Sequence, residues 1–164
     1  MHNQSNRLVD WIEEFVQRHE NRIYRTALAV MGNKTDAEDI MQDVFLKVIE
    51  EKAPQFQSVE HETAWLTRVT VNQCRSRLRS YWWKKSEPLL DTYPAQDNEQ
   101  QSLMETIISL PSKYRIVITL FYYEGYSTKE IAEITKQKES TVRTHLTRAR
   151  QMLKNYLLEE NNNE

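Results

Sequence analysis

The sequence predicts an all-α protein built as two small helical domains joined by a flexible linker, the second containing a helix-turn-helix. Three observations lead there. Gly32 and Gly125 are the only glycines among 164 residues, which disfavours hairpins and Gly-rich phosphate loops and favours helices. Apolar residues recur at helical spacing, and two Ser/Thr-x-x-Glu capping boxes, Thr35–Glu38 and Ser127–Glu130, punctuate them. From Lys84 to Gln101 that periodicity fails in KKSEPLLDTYPAQDNEQQ, a polar stretch with Pro88 and Pro94. The expected domains are therefore 1–83 and 102–164, with 84–101 as linker.

In order along the chain, Leu8, Ile12, Phe15, Val16, Ile23, Ala27 and Val30 mark a first helix that stops at Gly32. The box at Thr35 opens a second helix to about Glu51, ahead of Pro54. An irregular stretch, PQFQSVEHET, precedes a third helix over roughly Ala64 to Trp83. The second domain starts with a helix from near Ser102 to Leu110, and Pro111 suits the start of another that runs to Gly125. A short helix from the Ser127 box to Ile134, a polar break (TKQKE) and a long helix capped by Ser140 complete it. The tail EENNNE is expected to fray.

The net charge is only −2, but it is unevenly spread. Thr63 to Ser86 holds six basic residues and no acid, Ser140 to Tyr156 has +4, and Asp36 to Glu51 has −5. That pattern suits one surface for a polyanion and another for protein. No apolar run approaches the roughly 18 residues of a membrane helix, and the polar start MHNQSNR is no signal peptide, so a cytoplasmic location is expected. A lone cysteine, Cys74, excludes an internal disulfide and falls on the core side of its helix. The four histidines lack metal-ligand spacing, and there is no nucleophile–base set or phosphate loop. Neither a metal, a cofactor nor an enzymatic activity is expected.

Three helical faces remain. On the last helix, Val142, Leu146, Ala149 and Leu153 share one stripe, while Ser140, Thr144, Thr147, Arg148 and Gln151 share the other, flanked by Arg143. Small hydroxyl residues permit close approach to a groove, and arginines contact guanine edges or phosphates. On the third helix, Leu66, Val69, Thr70, Cys74 and Leu78 turn inward, opposite Arg68, Asn72, Arg75 and Arg79. With Trp65, Tyr81, Trp82 and Trp83 alongside, that stripe suits phosphates and unstacked bases. On the acidic helix, Ala37, Ile40, Met41, Val44 and Val48 turn inward, while Leu46 stands among Asp39, Gln42, Asp43 and Glu50 with Phe45 at the edge. An apolar residue within an exposed polar face is a feature of protein-binding surfaces. Each face also has a plainer reading as an ordinary solvated helix surface.

Taken in order, DAEDIMQDVFLKV, AWLTRVTVNQCRSRLR and GYSTKEIAEITKQKESTVRTHLTRARQML resemble the extracytoplasmic-function (ECF) sigma factors of bacterial RNA polymerase. The resemblance implies that 1–83 is sigma region 2 and 102–164 is sigma region 4. It implies that Asp39, Gln42, Asp43 and Leu46 meet core RNA polymerase. It gives Phe56, Trp65 and Asn72 to an unstacked base of the −10 element, and Arg68, Arg75 and Arg79 to nearby phosphates. Ser140, Thr141, Arg143, Thr144, Thr147 and Arg148 would face the duplex −35 element. An anti-sigma factor, in many cases membrane-bound, is implied as a further partner. Ser76 stands where an aspartate is common, and Ser140 where a glycine is common. The alternative is a helix-turn-helix regulator that does not replace the polymerase specificity subunit; it accounts for the last third of the chain and leaves the other two faces without a role.

Overall fold

A computed structural model of the chain describes residues 2–51, 56–84 and 98–162. Helix α1 (His2–Met31) ends where Gly32 takes φ +82° and donates to Leu28 O at 2.8 Å. The positive φ favours glycine there, and a Cβ would stand in a tight contact 3.3 Å from Ile108 Cγ2. Burial along α1 begins at Trp11 and Ile12; Leu8, expected in the core, is 59% exposed, because the first turns run past their neighbours.

The cap of α2 (Lys34–Glu50) is Asn33, not Thr35. Asn33 is extended, and its side chain accepts from Asp36 N at 2.8 Å, so the helix starts one residue before the expected box. Ala37, Ile40, Val44 and Val48 are buried as the spacing predicts, with Met41 partly buried. Helix α3 (Val59–Lys84) begins five residues earlier than expected. Ser58 Oγ accepts from His61 N, and Glu60 and Glu62 occupy the favourable first turn. Leu66, Val69, Thr70 and Cys74 are buried, and so are Thr67 and Val71, because α1 and α2 cover α3 on one side and the helix Thr128–Thr135 of the second domain on another.

The second domain opens with α4 (Asn98–Ser109), so the last residues of the expected linker are helical; residues 85–97 lie outside the described residues. Pro111 caps α5 (Ser112–Ile118). The single helix expected up to Gly125 is broken by a π-helical turn over Thr119–Tyr123, in which Glu124 N donates to Thr119 O at 3.1 Å. Helix α6 (Thr128–Thr135) has the predicted capping box in full: Ser127 Oγ accepts from Glu130 N, and Glu130 returns a carboxylate to Ser127 N at 2.7 Å. Lys136 at φ 53° turns the chain into α7 (Glu139–Asn162). Lys138 O already accepts from Thr141 N and Val142 N, which places Ser140 inside the first turn rather than at the cap. The helix continues through the tail expected to fray, as far as Asn162. Val142, Leu146 and Ala149 are buried alongside Ile131, Ala132 and Ile134, and Leu153 is partly buried.

The two domains are packed together and share one continuous apolar core from Phe15 to Ala149. Helix α1 meets α4, α5 and the π turn, while α3 meets α6. Arg115 helps to bind the halves: its guanidinium donates to Val30 O (2.9 Å) near the end of α1 and to Ile108 O (3.0 Å) and Leu110 O (2.9 Å) in its own domain. It thereby satisfies carbonyls that helix ends leave without partners.

Candidate nucleic-acid interfaces

Three surfaces can be built from these elements. On α7, Ser140, Arg143, Thr144, Thr147 and Arg148 are exposed, with Thr141 partly so. Thr144 and Thr147 donate to Ser140 O and Arg143 O, each at 3.0 Å, which locks their rotamers and leaves lone pairs and methyl groups facing out. Arg143 lies 3.6 Å from Glu139, a loose exposed pair of little energy. Thr128 Oγ1 donates to Glu139 at 2.9 Å, so the two helices of the motif are also tied by a polar contact. His145 packs edge-on against Tyr114, as its position nearer the core implies; burial, Lys113 and Arg148 hold its pKa below the ordinary value. Arg150 is exposed but engaged: it lies over the rings of Phe121 and Tyr122 and donates to the Tyr122 hydroxyl. One charge of that basic segment is therefore already engaged.

On α3, Arg68 and Arg79 are exposed and Asn72 is half-buried. Phe56 lies against Trp65 with ring centroids 5.5 Å apart, and against His61, forming a partly buried aromatic cluster at the start of the helix. Arg75, expected in the open stripe, is not open. Its guanidinium donates to Thr135 O at the end of α6, because the second domain sits on this part of α3. Burial and the neighbouring Arg79 lower its pKa. Tyr81, expected as a stacking platform, donates its hydroxyl to the buried Asp36; burial and that carboxylate push the phenol up to about 12. The side chains of Trp82 and Trp83 lie outside the described residues. Cys74 is buried, which pushes its thiol up to about 12 and suits a packing role.

On α2, Leu46 is 56% exposed between the exposed Gln42 and Asp43. Asp39 is only partly exposed and pairs with Arg77 at 3.1 Å, so it is not the free acid that its place on the polar face implies. Arg77, counted among the six basic residues of the α3 segment, is neutralised by that pair and by Asp36 at 3.7 Å. Ile49, 47% exposed, enlarges the apolar patch. Its only signal in the sequence is its place three residues after Leu46, on the same side of the helix. Among the described residues no cluster of His, Cys, Asp or Glu could hold a metal ion, and no helix is long and apolar enough to cross a membrane.

The chain matches the family "Sigma-70 region 2" over residues 15–84 and "Sigma-70, region 4" over residues 100–153. The chain belongs to the sigma-70 family. Within it, this sigma factor groups with the ECF type. It is 34% identical over 158 residues to the ECF RNA polymerase sigma factor SigE of Mycolicibacterium smegmatis, covering 88% of this chain and 61% of that protein. It is 27% identical to the ECF RNA polymerase sigma factor SigW of Bacillus subtilis, covering 90% of this chain and 89% of that one. The chain thus spans under two thirds of the SigE relative and most of SigW. In fold it is similar to the sigma factor RpoE of Bartonella quintana, solved with the anti-sigma factor NepR (TM-score 0.69, 21% identity, 88% of this chain and 95% of that one). It is also similar to CnrH, solved with the cytosolic domain of CnrY (TM-score 0.59, 22% identity, 89% and 86%). The two region matches leave residues 85–99 between them, the stretch that runs from the end of α3 into the first turn of α4.

Proposed function

We propose that this sigma factor binds core RNA polymerase and directs promoter-specific initiation by reading a −10 and a −35 element. The observation that carries the reading is that the three faces lie in sigma order on one chain whose two halves match regions 2 and 4. Helix α2 offers Leu46 and Ile49 beside Gln42 and Asp43 to the polymerase, with Asp39 held at the edge of that patch by Arg77. An exposed apolar centre with a polar rim is what a protein interface requires. Phe56, Trp65 and Asn72 are assigned to an unstacked −10 base, with Arg68, Arg75 and Arg79 on the strand phosphates. Ser140, Thr141, Arg143, Thr144, Thr147 and Arg148 are assigned to the −35 duplex, at the N-terminal end of the second helix of the motif where base edges are reached. Because RpoE was solved with the anti-sigma factor NepR, an anti-sigma protein is proposed for this chain as well. Chemistry plays no part in this reading; the work is recognition.

Run-off transcription with core polymerase and genomic fragments tests it. New start sites that depend on the protein are expected. Leu46→Glu should abolish them by weakening polymerase binding about tenfold or more, with helical content unchanged by circular dichroism. Identical transcripts with and without the protein would end the sigma reading.

A further inference from the structure

Besides Arg115 on Val30 O and Arg25 on the Tyr123 hydroxyl, two further polar contacts join the domains beyond their shared core. Glu124 closes the π turn, and its side chain is 1% exposed. Its Oε2 accepts from Arg22 (Nη2 2.6 Å, Nε 2.8 Å) and its Oε1 from the buried Thr26 hydroxyl at 2.6 Å, both on α1. A π turn carries more residues per turn than α-helix; here it leaves Tyr122 on Arg150 while Tyr123 and Glu124 meet Arg25 and Arg22 of α1. The second contact is Arg75 on Thr135 O. The two differ in quality. Glu124 has a two-nitrogen charge-assisted partner and a hydroxyl, and without Arg22 it would be a nearly unpaired buried carboxylate. Arg75 is desolvated against a neutral carbonyl beside Arg79, a setting that a phosphate would improve.

We propose that Glu124 of region 4 and Arg22–Thr26 of region 2 form an autoinhibitory latch: they hold the free sigma factor closed, and closure covers Arg75, which is released for the promoter strand when the latch opens. The inhibitory part rests on the assignment of α3 to the −10 strand; the latch does not. Opening exposes Glu124 to water, so a partner that separates the domains replaces its ion pair with hydration, while Arg75 exchanges a carbonyl for a phosphate.

The test uses the full chain with fluorophores on cysteines introduced at the exposed Gln17 and Glu133; native Cys74 is buried and does not compete. Arg22→Gln and Glu124→Gln should each lower energy transfer between the dyes, and the swap Arg22→Glu with Glu124→Arg should restore it. Each single variant should also bind a single-stranded −10 oligonucleotide, taken from a promoter mapped by run-off, about tenfold tighter than the parent. Adding Arg75→Gln should remove that gain. Arg22 is partly exposed, so its variant leaves no buried hole and decides the matter if Glu124→Gln disturbs folding. Unchanged energy transfer in Arg22→Gln overturns the latch. Lower transfer with unchanged oligonucleotide affinity overturns the inhibition. Failure of run-off to give any promoter strikes the sigma reading instead, and the energy-transfer result stands apart from it.

Discussion

On α7 the residues assigned to DNA stand in solvent, Thr141 only partly, and the helix backbone locks the hydroxyl rotamers of Thr144 and Thr147. On α3, only Arg68 and Arg79 of the corresponding arginines are exposed; Arg75 lies under α6, and nearby Arg77 is paired with Asp39. Both helices read from sequence as basic stripes opposite an apolar one. The difference arises from their neighbours: α7 is the outer helix of its motif, whereas α3 is covered from both sides. A basic stripe is therefore evidence of a binding surface only after its arginines have been matched to their intramolecular partners. Of the residues proposed for DNA, those on α7 are largely open in this structure, while of the three arginines proposed on α3 only Arg68 and Arg79 are.

The sharpest way to break this comparison lies on α7. Arg148→Ala should weaken binding to −35 duplex DNA by about 1–3 kcal/mol without moving the melting temperature, since the residue is exposed. A footprint unchanged over the −35 element would remove Arg148 from the reading set.

A smaller effect should separate the arginines of α3. In the free protein, Arg68→Ala should weaken single-strand binding several-fold and flatten its salt dependence by about one phosphate contact. Arg75→Ala should change neither, because closure already withholds it; in the holoenzyme both should lower promoter opening. Fluorescence anisotropy at several salt concentrations, with and without core polymerase, separates the two cases. Equal losses in the free protein would mean that Arg75 is as available as Arg68.

The smallest effect concerns pH. His145 has its pKa lowered in the folded protein from an ordinary value of about 6.5, first by burial and then by Lys113 and Arg148. The unfolded chain therefore takes up the proton more readily than the folded one. This contribution to stability is present above about pH 6.5 and is lost as pH falls through that value towards the folded pKa. Thermal melts between about pH 7.5 and 5.5 should show a decline that His145→Gln reduces. A variant that declines as steeply as the parent would show that His145 is not the group responsible.

Most of the fold is legible in the sequence, because its signals are local. Val142, Leu146 and Ala149 announce their buried stripe by spacing, and Ser127 and Glu130 their capping box by chemistry. Sequence and fold part where two local signals compete. Thr35 completes a capping-box pattern, but Asn33 after Gly32 is a better cap two residues earlier. Ser140 has good cap chemistry, but the left-handed Lys136 lets α7 begin at Glu139. The polar composition of QFQSVEHET hides the first turn of α3, although Ser58 with Glu60 and Glu62 is a helix start. The π turn has no comparable signal, since TLFYY suits an ordinary α-helix equally well.

Helix content, inward faces, the order of the two regions and the motif all follow from periodicity and capping, which act within a few residues of each position. The state of each charged group does not. That Arg75 faces a carbonyl, that Asp39 is paired, that Tyr81 is bonded to Asp36 and that Glu124 is buried on Arg22 depend on partners 38 to 102 residues away. Spacing along a helix tells which side a residue is on; which neighbour covers that side is settled only by tertiary packing, of α2 on α3 for Asp39 and Tyr81 and of one domain on the other for Arg75 and Glu124.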